Sequence, residues 1–291
     1  MSSLKEIRTR IASVESTKKI TSAMKLVSAS KLRRAQNAIT NLSTYSNRLN
    51  EILQDISSGI PESHALFAQR EPENVVLIVI SSNRGLCGAF NSNIIKEVDR
   101  LVKEEYPKQL SESKLKMICI GEKALAQLKK NYEILYSNLT LLDKPNFDEI
   151  AQTAADLMND FIEKKIDRIE IVYNRYVNPA TQALTRETFL PVMNLELSSE
   201  NQYPSDYILE PSQKELTEVL IPKILKLQLY KTLLDSIAAE HGARMTAMAK
   251  ATENATEITK DLKLKYNNAR QAAITNELNE IVSGAEALKN F

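Results

Sequence analysis

Residues 74–105 read NVVLIVISSNRGLCGAFNSNIIKEVDRLVKEE, and the order of those residues decides the kind of fold at the centre of the chain. Asn74 to Ile80 is a continuous apolar run of strand length, as expected of a strand buried on both faces. The loop Ser81–Asn91 follows, then a helical pattern from Ser92 to about Glu105. Lys116–Ile120 reads as a second strand, with a helix from about Glu122. Ile134–Tyr136 is a weaker strand, Phe147–Lys164 an amphipathic helix and Arg168–Tyr173 a third strong strand. Ala183–Leu190 fits a strand returning antiparallel to it. Strands and helices alternating at these spacings argue for a doubly wound, mostly parallel sheet of Rossmann-like α/β type in residues 59–211.

Outward from this centre the punctuation disappears. All nine prolines lie between Pro61 and Pro222, and residues 1–58 contain neither proline nor glycine. After Pro222 only Gly242 and Gly284 interrupt the chain. Proline and glycine are the residues that most often stop a helix. The chain therefore divides into an N-terminal helix (1–58), the α/β domain (59–211) and a C-terminal helix (212–291).

Charge divides along the same lines. The net charge is +1, yet residues 1–58 carry ten Lys and Arg against four Asp and Glu, whereas residues 59–211 carry 17 against 23. A basic first segment points to a polyanion or to an acidic protein partner. No stretch approaches 18 consecutive apolar residues, so no bilayer-spanning helix is expected. The N-terminus shows neither a secretory signal nor a transit peptide. Cys87 and Cys119 are too few for a disulfide framework and read as reduced, buried thiols; His64 and His241 are too few for a histidine-rich metal cluster.

The first segment has the periodicity of a coiled coil. Leu4, Ile7, Ile11 and Val14 step by three, four and three, and Leu32, Ala35, Ile39 and Leu42 repeat the pattern, with Leu49, Ile52 and Ile56 continuing it. Between Lys18 and Lys31 the stripe thins to Thr21, Met24 and Val27 among four lysines, either a solvated face or a surface for a partner. At the other end Ser212 and Glu215 have capping-box spacing, and Pro222 is expected to kink or restart the helix. Leu234, Ile237, His241, Met245 and Met248 form one stripe, on which His241 reads as a packed seam residue before a ligand. Ile274, Leu278, Ile281, Ala285 and Leu288 form another. Seven alanines within residues 236–256 make the helix slim, which suits a rod inside a sleeve as well as a tight coil.

Helix geometry adds a length argument. At 1.5 Å per residue the first helix is about 80 Å long and the last about 110–120 Å. If both leave the α/β domain at one base they run antiparallel, and residues from Arg270 onward project as a lone helix. Ala272, Ala273, Ile274, Leu278, Ile281 and Val282 spread apolar surface over more than one of its faces, which a lone helix in water does not favour.

A doubly wound sheet raises the question of nucleotide binding. Arg84–Gly88 sits where a phosphate loop would, between a strand and a helix. It lacks both the three-glycine fingerprint and a Lys-Ser/Thr after the second glycine, so a structural turn is the better reading. Cys87 has no histidine base near it in sequence, and no catalytic residues, cofactor or metal are assigned.

At this point the residues resemble a known family. Residues 10–31 (RIASVESTKKITSAMKLVSASK), the loop Ser82–Ile94, and RMTAM (244–248) with ATENA (251–255) are similar to the gamma subunit of bacterial F-type ATP synthases. Residues 274–287, ITNELNEIVSGAEA, fit that family's signature at each fixed position. The match spans essentially the whole chain. The resemblance implies an α/β domain plus a long antiparallel coiled coil, acting as a non-catalytic central rotor shaft within three alpha and three beta subunits. It implies further partners in the epsilon subunit and the membrane c ring, with no direct membrane insertion and no nucleic acid. It also implies contacts of Arg270 and Gln271 with a beta catch loop, with Thr275 and Glu277 in the same region. Met24 and Lys25 would lie near the beta lever loop, and Tyr207 and Glu210 near the c ring. Location would be peripheral, on the cytoplasmic face of the bacterial plasma membrane. Chloroplast members carry an inserted regulatory dithiol; no such insertion is visible here between the second and third strands, so redox treatment is expected to leave activity unchanged. Two rivals of other classes are a nucleotide-dependent α/β enzyme and a coiled-coil nucleic-acid scaffold binding through residues 1–58.

Overall fold

The structure, a computed structural model, describes residues 4–56, 65–192 and 212–289. The described elements are α1 (Leu4–Ile56), β1 (Val75–Ile80), α2 (Phe90–Glu105), α3 (Pro107–Ser111), β2 (Leu115–Ile120), α4 (Glu122–Leu128), β3 (Glu133–Asn138), α5 (Phe147–Ile162), β4 (Arg168–Tyr176), β5 (Gln182–Leu190) and α6 (Gln213–Lys289), with a short 3₁₀ turn at Ala65–Phe67. The chain divides into two compact units, one of residues 28–244 and one of residues 1–27 with 245–291.

The first unit is built on a five-stranded sheet of order β3-β2-β1-β4-β5. β1 lies parallel to β2 and to β4, and β2 parallel to β3, while β5 returns antiparallel to β4. β1 is central because its six consecutive apolar residues can be buried only with cover on both faces, and each of the six is buried. Val75, Leu77 and Val79 share an apolar cluster with Ile94 and Val98 of α2 and Ala124 and Leu128 of α4. The connection from β3 back to β4 crosses to the far side of β1. The right-handed crossover rule puts its helix, α5, on the opposite face. Asn146 caps α5 by accepting the Asp148 N–H at 3.0 Å. The short segment Pro107–Ser111 and the turn at Ala65–Phe67 escaped the sequence reading, since neither is long enough to show a period.

Antiparallel β5 is fastened by charge as well as by its ladder. Glu170 on β4 is fully buried; it accepts from the Tyr106 hydroxyl and from Arg186 of β5, each at 2.8 Å. Arg186 also pairs with Glu105 at the end of α2. A buried carboxylate without such donors would carry a large desolvation cost.

Residues 28–56 of α1 and 212–244 of α6 belong to this unit. The Ser212 hydroxyl accepts the Glu215 N–H at 3.3 Å, so Ser212 caps α6 where the sequence spacing suggests. Pro222 does not restart the helix: α6 runs through it from Gln213 to Lys289. Proline removes one backbone donor, and the apolar packing of Ile221 and Leu225 on either side offsets that loss. From Thr232 to Arg244 every residue except half-buried Asp235 is buried. Ala239 and Ala243 enter the same cluster as β1 and α2.

In the second unit α1 and α6 run antiparallel. Thr21 and Thr252 share a hydrogen bond of 2.8 Å, and Glu15 meets Lys263 at 2.8 Å, so advancing along one helix means retreating along the other. Ile7, Thr21, Met248, Ala255, Thr259 and Leu262 form the buried seam. Val27 departs from its expected place on the stripe: it is 59% exposed, and Ser28 is buried instead. Ser28 stands seven residues from both buried Thr21 and buried Ala35, so it is the residue in phase with the seven-residue seam, and Val27 falls one position off it.

Candidate functional site

Three sets of residues present themselves: exposed positions on the two long helices, the loop after β1, and the contacts that seat α6 against the sheet.

On the helices, Met24 is half-buried and Lys25 exposed, and Leu26 beside them is 69% exposed. Arg270, Gln271, Thr275 and Glu277 are all exposed, with the Thr275 hydroxyl donating back to the Gln271 carbonyl at 2.9 Å. These two groups are not brought together. Thr21, one turn from Met24, meets Thr252, and Arg270 lies 18 residues further along α6, about 27 Å at helical rise. From Ile274 to Glu286 every residue is exposed, including Ile274, Leu278, Ile281 and Val282. Among the described residues neither Lys25 nor Arg270 forms an ion pair. Tyr207 and Glu210 lie outside the described residues.

The loop Ser81–Ala89 is shaped by its own polar groups. Asn91 Oδ1 accepts both the Ser82 backbone N–H at 3.0 Å and the Ser82 hydroxyl. Leu86 and Gly88 both take positive φ of 62°, a conformation that costs glycine little and leucine more. A phosphate cradle needs free N–H groups pointing inward. Here the loop turns carbonyls toward a cation instead: Arg244 of α6 donates to the Arg84 carbonyl at 3.0 Å and to the Gly85 carbonyl at 3.3 Å. The same guanidinium holds Glu240 at 2.7 Å and donates to His241 Nδ1 at 3.2 Å.

Burial dominates the electrostatics of this cluster. It pushes His241 down to about 4, with the Arg244 charge adding to the effect, so the ring is neutral and accepts at Nδ1. Burial also raises Glu240, against the pull of Arg244. Cys87 sits beneath the loop, receiving the Asn91 amide N–H at 3.3 Å, and burial raises its thiol; Cys119 is pushed up to about 12. Both stay protonated at neutral pH, which makes them packing residues and poor nucleophiles. Among the described residues no group of three or more His, Cys, Asp or Glu is placed to hold a metal.

In doubly wound sheets the ligand crevice opens at the carboxyl ends of the strands where their order reverses, here between β1 and β4. In this chain α6 lies there. Arg244 is bonded to the loop after β1. Gly242 faces the turn after β4, where an added methyl would meet Pro179 Cα and the Tyr176 ring, each at 3.3 Å. The small residues around 236–244 thus serve close approach to the chain's own sheet, a purpose their sequence does not specify. A remaining cleft of about 430 Å³ at the same strand ends is lined by Asn83, Arg84, Glu122, Thr140, Asp143 and Lys144. It is open and of mixed charge, with no convergent set of donors.

Comparison with known proteins completes the description. Residues 3–288 match the family described as ATP synthase. The chain is 50% identical over 290 residues to the ATP synthase gamma chain of Christiangramia forsetii and 49% identical to that of Flavobacterium johnsoniae, covering 99% of each chain in both cases. Its fold is similar to a chain of the Euglena gracilis mitochondrial ATP synthase, with a TM-score of 0.64, 22% identity, and coverage of 98% of this chain and 94% of that one. A chain from the central stalk and c ring of the Tetrahymena thermophila enzyme gives a TM-score of 0.58 at 23% identity, covering 80% and 99%.

Proposed function

Since the chain belongs to the ATP synthase gamma-chain family, we infer that it is the central rotor shaft of such a complex, a subunit that performs no chemistry of its own. It couples ion flow through the membrane c ring to ATP synthesis and hydrolysis at catalytic sites on other subunits. Its partners are three alpha and three beta subunits, the epsilon subunit and the c ring. The complex is peripheral to the membrane at this end, and among the described residues no helix is long and apolar enough to cross a bilayer. The proposed location is the cytoplasmic face of a bacterial plasma membrane.

The observation that carries the reading is the exposed apolar run on α6. Ile274, Leu278, Ile281 and Val282 are between 47% and 68% exposed in the isolated chain. Each such side chain gains about 1.5–3 kcal/mol when fully buried, so a surrounding apolar sleeve is strongly favoured. A ring of alpha and beta subunits supplies one.

The mechanism proposed is differential binding. Three chemically identical catalytic sites take different affinities only if something asymmetric touches each differently. A shaft contacting every state equally would shift nothing. Moving one site from 1:99 to 99:1 open requires about 5.5 kcal/mol of contact difference, within reach of a few side chains. For this role we assign Arg270 and Gln271 to the beta catch loop, with Thr275 and Glu277 in the same region, and Met24 and Lys25 to the beta lever loop. Tyr207 and Glu210 are assigned to the c-ring side. In the proposed division of labour residues 59–211 are the foot, and residues 1–58 and 212–291 the shaft with its tip. The exposure of Lys25, Arg270, Gln271, Thr275 and Glu277 supports these assignments, since a contact residue must be accessible before assembly.

Co-purification decides the matter. The tagged chain, expressed with alpha and beta subunits, is expected to recover them in a three-to-three-to-one ratio; recovery of the chain alone would defeat the rotor reading.

A further inference from the structure

We propose that the turn joining β4 to β5 is a collar that fixes both shaft helices to the sheet domain, and that Tyr176 is its positioning residue. The proposal rests on the rotor reading above and deepens it by naming where torque crosses from foot to shaft.

Tyr176 ends β4 and touches both helices. Its hydroxyl accepts the side-chain N–H of Gln36, on α1, at 3.0 Å. Its ring lies against α6 at Gly242, with Cε2 3.3 Å from the position a methyl would take; Pro179 Cα stands at the same distance. The turn behind this contact is internally braced. Asn178 and Thr181 exchange two backbone hydrogen bonds of 3.1 Å. Asn178 Oδ1 also accepts the N–H groups of Ala180 and Thr181 at 2.9 and 2.8 Å, and Gln182 donates to the Pro179 carbonyl at 3.2 Å. A braced turn resists sideways force better than a pair of long charged side chains.

The opposite side of α6 is gripped as well. Gly242 and Arg244 are two residues apart, about 200° around the helix. The turn after β4 presses on one side while Arg244 holds the loop after β1 on the other. The helix is thereby held between the two strands where the sheet order reverses. A second link from this domain to α1, Lys31 to Asp143, is 3.9 Å long with both side chains about half exposed, and such pairs hold weakly. Steric enclosure of α6 together with a hydrogen bond to α1 is therefore a stiffer connection than that ion pair. It explains a glycine in an otherwise alanine-rich stretch: any side chain at Gly242 would push the collar outward.

The test uses the complete enzyme reconstituted in sealed vesicles, measuring ATP-driven ion uptake and ATP hydrolysis in the same preparation. Tyr176→Ala is expected to leave the rate of hydrolysis unchanged and to lower ion uptake per ATP by roughly threefold, a split that separates a lost connection from damaged chemistry. Tyr176→Phe keeps the ring against Gly242 and is expected to restore most of the uptake. Wild-type uptake per ATP in assembled Tyr176→Ala enzyme would overturn the proposal, and so would a Phe variant as defective as Ala. Should Tyr176→Ala not assemble, Tyr176→Leu, which retains apolar bulk, decides by the same ratio. Failure of the wild-type chain to assemble with alpha and beta subunits would instead defeat the rotor reading.

Discussion

Asp235 shows how an unremarkable charge in the sequence becomes a stability term in the fold. It lies half-buried on α6 and burial raises it to about 6, with Lys231 and Arg175 opposing the shift and Glu187 adding to it. Because the folded value lies above the unfolded one, folding favours the protonated form. That contribution is present below pH 4 and is lost as pH rises through 6. Asp235→Asn is therefore expected to stabilise the protein by about 1–3 kcal/mol at pH 8 and by little at pH 4, read from denaturation midpoints at the two values. His241 has the opposite sign: its neutral form is favoured, and its contribution fades as pH falls from 6.5 toward 4. Arg270 and Gln271 are exposed, so replacing both with alanine should leave the denaturation midpoint within about 0.5 kcal/mol of wild type. Turnover and torque of the assembled enzyme should nonetheless fall; unchanged values would remove these residues from the catch. The residue types proposed for contact were legible in the sequence, but the burial that shifts Asp235 and His241 was not. Burial depends on what α6 packs against, and nothing local encodes that.

At the scale of elements, hydrophobic pattern and turn chemistry carried most of the information. Among the described residues the five strands lie close to where apolar runs or alternation put them, most plainly β1, β2 and β4, because a strand buried on two faces tolerates few other sequences. Gly121 starts α4 with φ of 114°, and an added methyl would fall 2.6 Å from Ser81 Oγ and 2.8 Å from the Ser81 carbonyl oxygen. Ser81 cannot withdraw easily, since its hydroxyl accepts the Ala124 N–H and its own N–H donates to Ile120. Gly121→Ala should cost more than about 2 kcal/mol in a denaturant titration, from strained backbone and displaced contacts together. The helix does not restart at Pro222, because an interior proline costs a helix about 3 kcal/mol, which burial of its apolar neighbours can offset. The burial of Ser28 in place of Val27 has a similar lesson: the seven-residue phase through Thr21, Ser28 and Ala35 sets the seam even where the residue in phase is polar and its neighbour apolar.

For the whole molecule, the two buried thiols are the simplest test. Cys87 and Cys119 share the apolar cluster beneath the sheet and are both held protonated by burial. Activity of the assembled enzyme should be the same after reduction or mild oxidation, and a thiol-dependent change would contradict this reading. The sequence by itself determined the parallel sheet, the two long helices and the family, since periodicity, the placement of proline and glycine, and local motifs are properties of contiguous residues. The path of α6 was decided only by tertiary structure. Small side chains at Ala239, Gly242 and Ala243 announce that some surface comes close, without saying which. That surface proved to be the strand ends and turns of the chain's own sheet, contributed by residues 60 or more positions away, and only folding brings them to the helix.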